Sequence, residues 1–199
     1  MSKTVDFIFD FGSPNAYLAA KILPAIASRT GATIRYCPAL LGGIFKATNN
    51  QSPMMAFANV KGKMAYERLE MMRFIQKHRI PFRMNPHFPV NTLAIMRGYV
   101  AADSLGVAPR YFDAVFAAMW ENGEKMDDPE TIAHVLTAAG LDAGAIHAAA
   151  QTPEIKQKLV EYTDAAVARG VFGAPSFFVG DDMWFGKERL GQVEEALAG

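Results

Sequence analysis

Strand-type sequence is confined to the two ends of this 199-residue chain, with a long helical stretch between them, and that distribution narrows the possible folds more than any other feature. Val5-Asp6-Phe7-Ile8-Phe9-Asp10-Phe11 is a short aromatic and β-branched run suited to a buried or half-buried strand. Gly12 breaks it, and Ser13-Pro14 supplies an N-cap followed by proline at the first helical position. Tyr17, Leu18, Ile22 and Ile26 give the next stretch one apolar face, Pro24 is a candidate kink, and Gly31 ends the helix. Thr33-Ile34-Arg35-Tyr36-Cys37 is again strand-like and stops at Pro38. Two strands flanking a helix predict a βαβ unit and hence a parallel pair.

From residue 41 to 169 the period is helical. A polar loop, Asn49-Asn50-Gln51-Ser52-Pro53, precedes a helix expected from Lys63 to Lys77, closed by Ile80-Pro81. Further helices are expected over Thr92 to Ser104 and Tyr111 to Glu121. Asp128-Pro129 and Thr152-Pro153 repeat the cap-plus-proline signature and open helices that finish at Gly140 and Gly170. The period then changes back. Ser176-Phe177-Phe178-Val179, a turn at Gly180-Asp181-Asp182, and Met183-Trp184-Phe185 predict a β-hairpin. Leu190, Val193 and Leu197 mark one face of a closing helix.

A composition of 51% hydrophobic and 20% charged residues matches a folded globular protein and excludes disordered, collagenous and coiled-coil chains. Twenty basic residues balance twenty acidic ones with no basic segment, so no phosphate-neutralising field is present and nucleic acid is not an expected partner. The lone cysteine, Cys37, has no internal partner, and no Cys/His spacing points to a metal. Charges interrupt every apolar run before membrane-spanning length, and Met1 to Asp6 lacks the pattern of a signal peptide. The expectation is a cytoplasmic protein with no membrane partner.

The order βαβ, helical block, β-hairpin, helix is thioredoxin-like. It implies an α/β fold whose discontinuous thioredoxin-like domain, residues 1–40 and 170–199, carries a helical insertion domain, residues 41–169. In such a fold the reactive position is the start of the first helix, where free N–H groups and the helix dipole stabilise a thiolate. Ser13-Pro14-Asn15-Ala16 stands there, so dithiol exchange is excluded and any sulfur must be brought in. A bound thiol such as glutathione would meet Ser13 Oγ as a hydrogen-bond donor; the same Ser-Pro pair also serves as an ordinary helix start. Phe172-Gly173-Ala174-Pro175-Ser176 falls where thioredoxin-like proteins carry a cis-proline, although Gly-Ala-Pro by itself reads only as a turn.

Three segments together carry a more specific resemblance. Asp6-Phe7-x-Phe9-Asp10-Phe11-x-Ser13-Pro14-x-x-Tyr17-Leu18, Gly170-Val171-Phe172-Gly173-Ala174-Pro175 and Met183-Trp184-Phe185-Gly186-Lys187-x-Arg189-Leu190 resemble the 2-hydroxychromene-2-carboxylate isomerase family and its kappa-class glutathione transferase relatives. The resemblance spans essentially the whole chain. It implies a DsbA-like architecture, a homodimer, and glutathione as a cofactor that is returned unchanged, in a cis-trans isomerase of bacterial aromatic degradation of the naphthalene type. The substrate so implied is a small aromatic carboxylate, 2-hydroxychromene-2-carboxylate, converted to trans-o-hydroxybenzylidenepyruvate.

Carried over by position, Ser13 resembles the residue that faces the glutathione sulfur. Asn50 resembles an asparagine that contacts glutathione, and Lys63, or Lys61 one step away in alignment, a lysine that reaches its carboxylate. Ala174, beside Pro175, is similar to the residue that pairs with the cysteinyl backbone, while Gly186, Lys187 and Glu188 fall in the segment that holds the γ-glutamyl end. Lys46 resembles a lysine near the chromene carboxylate, and a solvated lysine is the alternative. Phe88 replaces a tyrosine that faces the substrate in the naphthalene-pathway enzyme, which leaves His87 or Asn85 as substitute donors. A kappa-like transferase that conjugates electrophiles and a redox-silent binding module are the alternative functions.

Overall fold

Strands from both ends of the chain meet in one four-stranded sheet. The structure is a computed structural model, and it describes residues 3–199. Strand β1 (Thr4–Phe9) leads through helix α1 (Pro14–Thr30) to β2 (Thr33–Pro38), and β3 (Ser176–Val179) and β4 (Asp182–Phe185) return at the other end. The order is β2-β1-β3-β4. β1 and β2 are parallel, with Val5 opposite Ile34, whereas β1–β3 and β3–β4 are antiparallel, with Phe7 opposite Phe177 and Phe177 opposite Trp184. The βαβ unit and hairpin expected from sequence are both present; the hairpin turn is tighter by one residue, because Asp182 already belongs to β4.

Period-two alternation sends the residues of β1 to two different cores. Val5, Phe7 and Phe9 join a large cluster with α1, and Phe9 packs at 5.0 Å against both Tyr99 and Phe112. Ile8 faces the other way, toward Ile44, Ala166 and Phe178. Each buried phenylalanine contributes about 1.5–3 kcal/mol relative to an exposed ring, so Phe7 and Phe9 on β1, with Phe177 opposite Phe7 on β3, pin the register strongly.

Between β2 and β3 every regular element is helical: α2 (Leu41–Thr48), α3 (Pro53–Ala56), α4 (Lys63–His78), α5 (Leu93–Ser104), α6 (Ala108–Ala117), a π-helical turn (Ala118–Asn122), α7 (Pro129–Ala138), α8 (Ala143–Ala150) and α9 (Pro153–Ala168). A short 3-10 turn (Lys187–Arg189) introduces the closing helix α10 (Leu190–Ala198). The expected starts hold because they are chemical. The side chains of Ser13, Asp128 and Thr152 accept from the amides of Ala16, Thr131 and Ile155, and proline follows each. Gly31 takes the left-handed conformation, φ 66°, that ends α1, and Pro24 sits inside that helix without dividing it.

Three departures have physical causes. Helix α2 was not expected, since Gly42 and Gly43 make its sequence a poor helix former; it is held from outside by Leu40 N–H donating to Thr163 Oγ1 and Leu41 N–H to Asp10 Oδ2. The helix expected over Tyr111 to Glu121 begins earlier, at Ala108, and loosens into the π turn, where the buried Trp120 donates its indole N–H to Phe11 O at 2.8 Å. The alanine-rich α8 opens at Asp142, whose carboxylate caps Ala145 N–H.

Candidate active site

The candidate residues divide into those that meet at one loop and those that do not. Ser13 begins α1 and is 5% exposed. Its Oγ accepts from Ala16 N–H at 3.1 Å and donates to Ala174 O at 2.9 Å, so the helix start is fastened directly to the loop that precedes β3. The Ala174-Pro175 bond in that loop is cis. Asn50, two residues beyond α2, donates from Nδ2 to Phe172 O at 2.9 Å, and Gly186 N–H donates to Pro175 O at 3.0 Å. Ser13, Asn50 and Gly186 therefore converge on residues 172–175, together with Ala174 and Pro175 themselves.

Other expected residues are engaged elsewhere. Lys63, the first residue of α4, pairs with Glu67 at 2.5 Å and lies over the Phe57 ring, while Lys61 is exposed in the turn before it. Lys187 is 3% exposed, pairs with Glu188, and sets its ammonium 5.4 Å from the Phe74 ring centroid. Lys46 is exposed on the last turn of α2, where a cation suits the helix dipole. The Phe88 ring is half-buried against Trp120, with centroids 5.8 Å apart. Asn85 is corrected as a substitute donor: both its amide N–H groups are taken, by Met119 O at 3.0 Å and Glu124 O at 2.8 Å, and its Oδ1 accepts from His87 N–H. His87 is exposed beside it.

A residue that sequence reasoning passed over organises the site from beneath. Asp10 is 1% exposed; Oδ1 accepts from Gly12 N–H and Oδ2 from Leu41 N–H, each at 2.8 Å, with the Thr92 side chain as a further partner. Burial raises its carboxyl above the ordinary carboxylate range, against these three bonds, which lower it. One carboxylate thus joins the turn bearing Ser13, the start of the helix leading to Asn50, and the start of α5. Its place three residues before Ser13, inside the first of the three family-like segments, was the signal the sequence offered. Tyr17 anchors the same helix from the far side. Its hydroxyl donates to Pro81 O and lies 3.0 Å from Glu121 Oε1, which Lys21 pairs at 2.7 Å; burial and then Glu121 push the phenol well up.

Phe172 and Phe185, both exposed, pack with their rings tilted and centroids 4.6 Å apart and form an apolar rim next to the cis-proline loop. A Cβ on Gly173 would sit 2.9 Å from the Phe185 ring, so glycine is what lets that rim close. No thiol of the chain reaches this position. Cys37 lies on β2, and burial pushes its thiol up to about 11. Among the described residues, no group of His, Cys, Asp and Glu is arranged to hold a metal ion, and no helix is long and apolar enough to cross a membrane. What the geometry offers is a hydroxyl and helix amides as donors, a carbonyl on the facing loop as acceptor, and an apolar rim. That donor set fits a thiol carried on a peptide-like ligand.

Comparison with known proteins identifies the family of the chain. The DSBA-like thioredoxin domain family matches residues 4–198. The 2-hydroxychromene-2-carboxylate isomerase of Pseudomonas putida is 33% identical over 97% of this chain and 93% of its own. Human glutathione S-transferase kappa 1 is 26% identical over 96% of this chain and 88% of its own. A solved structure of 2-hydroxychromene-2-carboxylate isomerase superposes with a TM-score of 0.84 at 32% identity, covering 98% of this chain and 94% of that one. A probable DsbA oxidoreductase of Streptomyces coelicolor, at 18% identity and a TM-score of 0.75 over 98% of this chain and 88% of that one, shares the fold. The chain therefore belongs to the DSBA-like thioredoxin domain family and, within it, to the 2-hydroxychromene-2-carboxylate isomerase family.

Proposed function

We propose that this protein is a glutathione-dependent cis-trans isomerase acting on 2-hydroxychromene-2-carboxylate, with trans-o-hydroxybenzylidenepyruvate as product. The observation that carries the reading is the bond from Ser13 Oγ to Ala174 O across a cleft start that has no cysteine of its own. When bound, glutathione supplies a thiolate that adds reversibly to a conjugated carbon, so that the former double bond can rotate.

The chain's contribution is positioning and charge stabilisation. A serine hydroxyl has one proton, and here it is spent on Ala174 O. To donate to a thiolate, Ser13 must release that carbonyl, and a cysteinyl N–H of the ligand is the donor suited to replace it. Binding is then a hydrogen-bond exchange at two atoms that already face each other. The N-terminus of α1 adds its partial positive charge to the same spot, which favours thiolate over thiol. Asn50 holds Phe172 and so sets the distance between the loop and α2. Lys63 and the Gly186-Lys187-Glu188 segment are assigned to the outer ends of glutathione; for Lys63 this requires leaving Glu67, an exposed pair that costs little to break. Lys46, exposed and unpaired among the described residues, is assigned to the substrate carboxylate, with Phe88 as an apolar wall.

The reading includes a homodimer and a cytoplasmic site of action. Met54, Met55, Phe57, Val60, Tyr66 and Leu69 expose a run of apolar side chains over α3 and α4, the kind of surface that a second copy covers. A reducing compartment rich in glutathione suits an enzyme that returns its thiol unchanged.

The test is calorimetric titration with reduced glutathione and with S-methylglutathione, followed by turnover of the chromene substrate. One site per chain, weakened by capping the sulfur, and isomerisation with glutathione recovered are the expected results. Ser13→Ala should lower kcat on the order of 100-fold and raise the apparent pKa of the bound thiol; an unchanged kcat and pKa would remove Ser13 from the chemistry. The identity to a kappa-class transferase favours conjugation as the second reading, and accumulation of a glutathione conjugate in place of free glutathione would establish it.

A further inference from the structure

Away from the end of β1 that leads to Ser13, a second cluster of charged residues lies against the sheet. Arg35, Asp6 and Phe178 lie side by side there, on β2, β1 and β3, as direct partners in the strand register. Arg169 caps the end of α9 and folds back over this row, its guanidinium 3.6 Å from the centroid of the Phe178 ring. Beyond it opens a cavity of about 740 Å³, the size range of small-molecule sites.

The floor of the cavity is a buried charge that gathers two cations. Asp6 is 4% exposed, and a single oxygen, Oδ2, accepts from Arg35 at 2.6 Å and from Arg169 at 2.7 Å. Burial by itself would raise the Asp6 carboxyl, but the hydrogen bonds and charges of the two arginines outweigh it and hold the group below the ordinary range. Arg169 makes a further contact to Gly180 O at 3.4 Å, so its plane is fixed by an acid, a carbonyl and a ring. Each guanidinium carries five N–H donors, and most remain uncommitted. Lys3 stands at the rim with its ammonium on Ala196 O, and Asp182 is the second acid in the lining. Three cations face two carboxylates, one of which is consumed beneath the arginines.

We propose that this cavity is a second ligand site, distinct from the one at Ser13, for a small multivalent oxyanion, a phosphate-bearing or dicarboxylate molecule held between the guanidiniums of Arg35 and Arg169. Two planar forks anchored on one carboxylate oxygen are oriented before the ligand arrives, so the cost of ordering long side chains is already incurred in the free protein. Asp6 is the residue that positions them. The inference does not depend on the reaction proposed for Ser13.

Titration calorimetry of the full chain at low ionic strength tests it, with inorganic pyrophosphate and malonate as the two probes. One pyrophosphate per chain is expected, weakened by added salt. Arg35→Gln and Arg169→Gln should each lower affinity roughly tenfold, Asp182→Asn should raise it several-fold, and Lys125→Gln, the same change of charge on the helical segment, should leave it unaltered. Glutathione titrated into Arg35→Gln should bind as it does to the unaltered chain. Malonate binding in preference, with the same dependence on both arginines, supports the site with a dicarboxylate as its ligand. Absence of binding by either probe at millimolar concentration overturns the proposal, as does binding that Lys125→Gln weakens as much as Arg35→Gln. If Arg169→Gln fails to fold cooperatively, Arg35→Gln and Lys3→Gln decide the outcome, since both side chains are at the rim.

Discussion

Gly98 shows how little room the helical segment leaves at some positions. A Cβ there would stand 2.1 Å from the Tyr111 hydroxyl oxygen, which donates to Ile95 O at 2.9 Å. Alanine is the better helix former by about 1 kcal/mol, yet Gly98→Ala should destabilise by about 1–3 kcal/mol, because overpacking outweighs propensity. Urea unfolding measures it, and Tyr111→Phe in the same chain should recover part of the loss; a stabilising Gly98→Ala would refute the packing argument. No feature of the sequence around Gly98 announces this, since the constraint comes from a tyrosine on the next helix. Ser13 is the contrary case. Its cap, its proline and its distance from the first strand are all local, so its position could be read directly. That its proton rests on Ala174 O depends on two segments 161 residues apart and could not.

At the scale of elements, the starts of α1, α7 and α9 were legible because a side-chain oxygen and a proline act within one turn. Helix α2 was not legible, for the opposite reason: its Leu40 and Leu41 amides are satisfied by Thr163 and Asp10 from distant parts of the chain. The candidate site inherits that dependence, because α2 leads to Asn50 and Asn50 holds the loop at Phe172. Asn50→Ala should therefore raise the Kd for glutathione by about tenfold, the net worth of one hydrogen bond in a constrained site, while circular dichroism stays that of the unaltered protein. An unchanged Kd would reduce Asn50 to a surface residue. The motif around Lys187 shows that charge in a sequence does not fix exposure. Lys187 is buried, turned to Glu188 and the Phe74 ring, whereas Glu188 is exposed.

For the whole molecule, charge balance conceals strong local asymmetry. The sequence has no net charge at neutral pH, but Asp6 binds two arginines from elements far apart in the chain, β2 and the end of α9. Its folded carboxyl is held below its unfolded value, so the stabilisation it gives is present above the unfolded pKa, about 3.9, and is lost as pH falls through the folded one. Asp6→Asn should be less stable than the unaltered chain at pH 7, with the gap closing on acidification below about pH 4. Unfolding midpoints across that range check it, and a gap independent of pH would show that the ionised carboxylate is not what stabilises. The DsbA-like thioredoxin fold as a whole was readable in the order of its strands and helices, whereas this ionic junction was not, because neither arginine is near Asp6 in sequence.

The pairing of β1 with β3 carries a consequence for how the protein comes into being. Val5 lies opposite Val179, so the first strand gains this neighbour only after residue 179 has left the ribosome. Closing so long a loop is entropically slow, and contacts of this separation form late in folding. The helical stretch is synthesised before β3, and Ser13 and Ala174 can face each other only after it is complete. A chain interrupted before residue 174 lacks the carbonyl that faces Ser13, so such a fragment carries only one side of the pocket.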